Sequence, residues 1–166
     1  MSSSTLLLDL PDENATTALA QQLAPLVSGL CADLEAGGRI HLHGELGAGK
    51  THFTRALLQA VGVKGRIKSP SYALLESYKV SSLYCYHLDF YRFSDAREWL
   101  DAGFRDILQE QALVLIEWPE KAGNLLPAPD LDLYLEYTDQ GRRAKLFAHS
   151  TKGHIWISRL NPSRPQ

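Results

Sequence analysis

RIHLHGELGAGKTHFTRALLQAVG, residues 39–62, is the stretch on which the fold turns. Its first five residues alternate in polarity, as a β-strand does. GELGAGKT follows without a linker. Phe53, Ala56, Leu57, Ala60 and Val61 then fall on one helical face, and Gly62 stands where a helix C-terminal cap belongs. The order is strand, glycine-rich loop, helix.

Gly44, Glu45, Leu46, Gly47, Ala48, Gly49, Lys50 and Thr51 fit the phosphate-loop pattern GxxxxGK[ST] without mismatch. A loop that wraps phosphates turns its backbone N–H groups inward. That needs positive φ and no obstructing side chains, which Gly44, Gly47 and Gly49 provide. The helix starting near Lys50 adds the positive end of its dipole. Lys50 reaches β- and γ-phosphates as a point charge, and the Thr51 hydroxyl is a ligand for Mg2+. A glycine-rich turn before a chance lysine is the competing explanation, and the flanking strand and helix weigh against it.

Such a site also needs an acid at the end of a neighbouring buried strand. Glu117 closes ALVLIE, residues 112–117, a continuous apolar run of the kind buried on both faces of a sheet. Asp89 lies in LYCYHLDFY, residues 83–91, where pairing with Arg92 or capping a turn is the alternative role. The SPSY segment, residues 69–72, is either a hydroxyl-bearing γ-phosphate sensor or a plain strand entry. Trp118, at the mouth of the sheet, is placed to pack on a base or ribose, to face a partner, or simply to pack. His41 and His43 share a strand face without Cys or carboxylate companions, which argues against zinc.

Around this centre, residues 12–38 read as an amphipathic helix with Leu19, Leu23, Val27, Leu30 and Leu34 on one face. Pro25 is expected to kink or split it, and Gly37 and Gly38 to end it. Residues 71–78 and 83–91 suggest an antiparallel pair, and residues 94–111 a helix. LDLYLEY (131–137) and RRAKLFAH (142–149) form a C-terminal antiparallel hairpin around a DQG turn, and residues 154–160 lean towards a short helix. Residues 1–5 and 161–166 look loose.

The whole chain, 166 residues and 18.5 kDa, is one domain's worth, and 45% apolar with 22% charged residues is ordinary globular composition. Net charge is −2, so no overall field draws it to nucleic acid or an anionic membrane. Charge is nevertheless uneven: residues 1–40 hold one base against five acids, and residues 139–166 six bases against one acid. Lys64, Arg66 and Lys68 form a second basic run. Solvated surface or an acidic, phosphate-rich partner explains such runs. Cys31 and Cys85 lie far apart and read as buried free thiols. No apolar run approaches the roughly 20 residues of a spanning helix, and no signal peptide is legible, so the expected location is cytoplasmic, with no membrane partner.

PDENAT, GELGAGKTHFTRALLQAVG, KSPSY, YHLDFYR and LIEWPEK occur in this order. Together they resemble the bacterial ATPase family of tRNA threonylcarbamoyladenosine biosynthesis, TsaE (formerly YjeE), over roughly residues 11–160. The resemblance implies a single P-loop NTPase-like α/β domain, with a central, mainly parallel sheet flanked by helices. It implies an ATPase subunit, acting with TsaB and TsaD, that binds ATP or ADP with Mg2+ and meets tRNA indirectly through that complex. Carried over by motif, Lys50 and Thr51 serve phosphate and magnesium, Glu117 completes the metal site, and Asp89 assists hydrolysis and approaches the metal. Trp118 is then near the nucleotide, and Pro11 and Arg142 approach the base or its edge. His52 stands where a second threonine often follows the loop, and Ser71 where threonine is frequent. An ATPase of this kind is expected to be slow alone and stimulated by its partners. A small-metabolite kinase, a guanine-nucleotide switch and a non-catalytic nucleotide-gated module are the alternatives. Scattered Arg92, Arg97 and Arg105 argue against the first, and PEKAGN after the last buried strand against the second.

Overall fold

The computed structural model describes residues 5–70, 74–95, 97, 98, 103, 106–109 and 111–160. Elements run β1 (Thr5–Leu10), α1 (Glu13–Val27), β2 (Gly38–His43), α2 (Lys50–Val61), β3 (Leu75–Val80) and β4 (Leu83–Asp89). They continue with β5 (Leu113–Glu117), β6 (Leu131–Thr138), β7 (Gly141–Ala148) and α3 (Thr151–Leu160), with short 3-10 turns at Ile107–Gln109 and Pro119–Leu125. The strands form one seven-stranded sheet in the order β1-β7-β6-β2-β5-β4-β3. Its centre is parallel, β6 to β2, β2 to β5 and β5 to β4, and its two margins are antiparallel. This is the α/β architecture and C-terminal hairpin expected from the sequence.

Every residue of β5 is buried, as a strand with neighbours on both edges and cover on both faces must be. One face packs Ile40, Leu42, Leu113, Leu115, Leu133 and Leu146 against α1, α2 and α3. The other, over β4 and β5, packs Leu88, Val114 and Ile116 against Phe90, Phe93, Leu108 and Ala122.

Several local expectations need correcting. Helix α1 is capped by Asp12, whose carboxylate accepts from the Ala15 N–H at 2.9 Å, but it ends at Val27 rather than at Gly37 and Gly38. Pro25 lacks the N–H that would bond back into the helix, and the helix stops two residues later. Leu30 is therefore 80% exposed, while Leu34 is buried by the loop beyond the helix. Residue 5 is not loose. TLLLDL forms edge strand β1, zipped antiparallel to β7, with Leu6 and Leu10 buried on one face. The expected loose ends at residues 1–4 and 161–166, and residues 96, 99–102, 104, 105 and 110 of the expected helix at 94–111, lie outside the described residues. Both cysteines are free. Cys85 is buried and its thiol pushed up to about 11 by burial, whereas Cys31 is only partly buried. Among the described residues, no helix is long and apolar enough to cross a membrane.

His41 and His43 do have a carboxylate companion. Asp132 on β6 bonds His43 Nε2 and His149 Nε2, each at 2.6 Å, and His43 stacks on Tyr134 at 4.1 Å. Among the described residues, no group of three His, Cys, Asp or Glu side chains could hold a metal ion.

Packing and charge on this sheet each have a measurable consequence. Gly153 in α3 lies so close to β6 that an added Cβ would sit 2.0 Å from the Asp130 carbonyl oxygen. Gly153→Ala should therefore lower unfolding free energy by about 3 kcal/mol, measured by urea titration, despite alanine's better helix propensity. Burial holds His41 down to about 4 from 6.5, with Asp132 pulling the other way. The unfolded chain thus takes up a proton first, and the stability present above pH 6.5 is lost as pH falls towards about 4. Urea midpoints across that range should decline, and His41→Gln should flatten the decline.

Candidate functional site

Parallel pairing brings the chemistry together. β2, β5 and β4 all end at the same sheet edge, where Leu42 and Asp89 both register with Glu117. β2 delivers the phosphate loop, β5 delivers Glu117, and β4 delivers Asp89. At that edge a cavity of about 480 Å³ is lined by Leu46, Gly47, Ala48, Gly49, Lys50, Thr51, Asp89, Glu117 and Arg142. Ligand sites at the carboxyl ends of parallel strands are the general expectation for open α/β sheets.

Gly44, Gly47 and Gly49 have φ of 149°, 80° and 108°, the region denied to most L-residues. A Cβ on Gly44 would lie 2.6 Å from the Leu135 carbonyl oxygen, so side chains are barred there on space as well. Three of the loop carbonyls have partners on β6 and β7. Arg142 Nε donates to Ala48 O at 3.0 Å and its Nη2 to Gly47 O at 3.1 Å, while the Tyr137 hydroxyl donates to Leu46 O at 3.1 Å. The guanidinium also lies over the Tyr137 ring, 4.6 Å from its centroid. Arg142 thus lines the cavity, with its charged head on the loop itself.

Lys50 is buried, and its Nζ donates to Gly44 O at 2.5 Å while sitting 3.6 Å from the Trp118 ring centroid. Burial pulls its ammonium below the ordinary lysine value, opposed by the carboxylates of Glu117, Glu120 and Asp89. Trp118, immediately before Pro119, adopts φ 58°, ψ 48°, a left-handed conformation uncommon for a bulky residue. Its ring also meets Tyr91, 5.0 Å away.

Glu117 is only 3% exposed. The Thr51 hydroxyl donates to its two oxygens at 3.2 and 3.3 Å, and His87 Nε2 donates to Oε2 at 2.5 Å. Thr51 and Glu117 therefore present hard oxygen donors at the spacing of adjacent ligands on a magnesium octahedron, about 3 Å. The residues fit that ion. Asp89 caps a turn by accepting the Tyr91 N–H at 2.9 Å. Burial raises its pKa, the Tyr91 bond opposes this, and the charge of Glu117 adds to the rise.

Not every residue singled out from sequence lines this cavity. Gly44, Glu45 and Trp118 line a neighbouring one of about 510 Å³, with His43, Glu120, Tyr134 and Tyr137. Pro11 lines a third beside Asp9 and Arg143. The PDENAT segment reaches the first cavity through Asp12, Glu13 and Thr16 instead. Ser69 lines it too, whereas Ser71 and Tyr72 lie outside the described residues. His52 on α2 bonds Thr17 on α1 at 2.9 Å and also lines this cavity. Tyr137 and His87 were not singled out from sequence. A histidine two residues before Asp89 in an apolar strand was the available signal for His87, and Tyr137 had none.

The family described as "Threonylcarbamoyl adenosine biosynthesis protein TsaE" matches residues 10–145. A protein of Haemophilus influenzae described as "tRNA threonylcarbamoyladenosine biosynthesis protein TsaE" is 36% identical over 149 residues, 90% of this chain and 93% of that one. A Bacillus subtilis protein with the same description is 31% identical over 132 residues, 74% of this chain and 82% of that one. The crystal structure of Bacillus subtilis YdiB superposes with a TM-score of 0.73 at 22% identity, covering 94% of this chain and 93% of that one.

The Arg142 tie predicts a measurable cost. Arg142→Lys keeps the charge but loses the fork that spans two carbonyls, so Mg-ADP affinity by calorimetry should fall about tenfold with little change in melting temperature. Unchanged affinity would show that the loop holds its shape without the fork.

Proposed function

The chain belongs to the TsaE family of tRNA threonylcarbamoyladenosine biosynthesis proteins, and from that premise we propose that it is a Mg2+-dependent ATPase subunit working with TsaB and TsaD. The observation that carries this reading is the convergence of Lys50, Thr51 and Glu117 at the N-terminus of α2. Main-chain amides of the loop and of the first turn of α2 bind the phosphate tail, aided by the helix dipole, with the Ala48 N–H giving up its bond to Glu45 O. Lys50 exchanges the Gly44 carbonyl for phosphate oxygens, which bear more charge and bind it more strongly.

Thr51 and Glu117 would hold the magnesium, which when bound neutralises charge on the β- and γ-oxygens. Asp89 orients the attacking water and receives its proton. Its raised pKa brings it towards the range useful for that task. Asp12, Glu13 and Thr16 border the part of the cavity left for the nucleoside. ATP is the substrate and ADP the product. The tRNA meets this subunit indirectly, through the TsaB–TsaD assembly in the cytoplasm. Hydrolysis is slow in the isolated chain and rises in that assembly.

Glu117→Gln should keep ATP binding and lower partner-stimulated hydrolysis about a hundredfold or more, whereas Lys50→Ala should lose binding itself. Reconstituted tRNA modification with TsaB and TsaD, run over single and multiple turnovers, checks the functional consequence. Multiple turnover that proceeds equally well with Glu117→Gln would show that hydrolysis is not what this subunit contributes.

A further inference from the structure

Glu117 has two oxygens, and the Thr51 hydroxyl does not choose between them, lying 3.2 Å from one and 3.3 Å from the other. Something else must fix the plane of the carboxylate. His87 is the only other side chain whose hydrogen bond to Glu117 is seen among the described residues. Its Nε2 meets Oε2 at 2.5 Å, with both side chains almost fully buried. A carboxylate oxygen accepts, so the ring proton resides on Nε2.

The strand explains why the imidazole is a rigid support. His87 lies in β4, registered with Glu76 of β3 on one side and Leu115 of β5 on the other. Cys85, His87 and Asp89 alternate onto the sheet face that α2 covers. His87 Nδ1 is buried without a hydrogen-bond partner. A histidine kept only for packing would be poorly chosen here, because an apolar side chain of similar size would leave no polar atom bare.

We propose that His87 is a positioning residue, whose Nε2–H fixes the Glu117 carboxylate so that Oε1 is presented to Thr51 and the magnesium site. The role rests on the nucleotide reading above and acts entirely through Glu117. Partners of metal-binding groups commonly matter in this way, because they restrict the ligand to its productive orientation.

The test uses the full chain and two variants. His87→Met fills the space without a donor, and His87→Gln restores an N–H at similar reach. ADP affinity is measured by calorimetry with Mg2+ and again in EDTA, and thermal melting is recorded alongside. Wild type should bind more tightly with Mg2+. His87→Met should lose about 10- to 100-fold of the Mg2+-dependent affinity while binding in EDTA as wild type does, and His87→Gln should recover most of the loss. Hydrolysis in the TsaB–TsaD assembly should then show KM raised in step with that loss of affinity, and His87→Gln should restore it. Wild-type Mg2+-dependent affinity in His87→Met overturns the proposal and leaves the nucleotide reading standing. Equal loss in both variants, extending to EDTA and to the melting temperature, overturns it in favour of packing. Absence of Mg2+-dependent binding in wild type overturns both readings together.

Discussion

A peptide unit points its N–H and its C=O in opposite directions, and a loop that offers amides to an anion must therefore dispose of carbonyls on its far side. Here the far side is furnished by the β6–β7 hairpin. Arg142 takes the carbonyls of Gly47 and Ala48, and Tyr137 takes that of Leu46. Without those partners the loop would carry under-satisfied acceptors close to a buried lysine, and its glycine-rich backbone would have many other conformations available. The hairpin, far away in sequence, thus belongs to the phosphate loop as much as its glycines do. The parallel pairing of β6 with β2 sets it at the right height.

The same economy governs the buried charges. Glu117 and Lys50 are both nearly inaccessible, a state tolerable only because each has partners. Glu117 receives hydrogen bonds from Thr51 and His87, and Lys50 has the Gly44 carbonyl and the indole of Trp118. None of these contacts is local in sequence except those within the loop. They exist because three parallel strands end together, so that residues 44–51, 89 and 117 share one edge.

Elements whose determinants are local were readable from the chain. The strand–loop–helix unit, the buried strand ending at Glu117, the antiparallel pair and the C-terminal hairpin all carry strong periodicity or turn residues, and all are present. Failures came where long-range packing decided the outcome. TLLLDL carries no strand signal of its own, because an edge strand has no signature apart from the β7 that receives it. The reach of α1 was overestimated because Leu30 and Leu34 continued its spacing, although the chain had already left the helix after Pro25. Within the site, residue types gave Lys50, Thr51, Glu117 and Asp89, but Arg142's grip on the loop and His87's contact with Glu117 depend on distances no spacing rule encodes.

Trp118 has one more consequence. Its indole walls the neighbouring cavity among His43, Tyr134 and Tyr137, and its ring face meets Lys50, which lines the first cavity. A wall that touches the Lys50 ammonium cannot be displaced from one side without altering the energy of the other. Linkage makes that influence mutual.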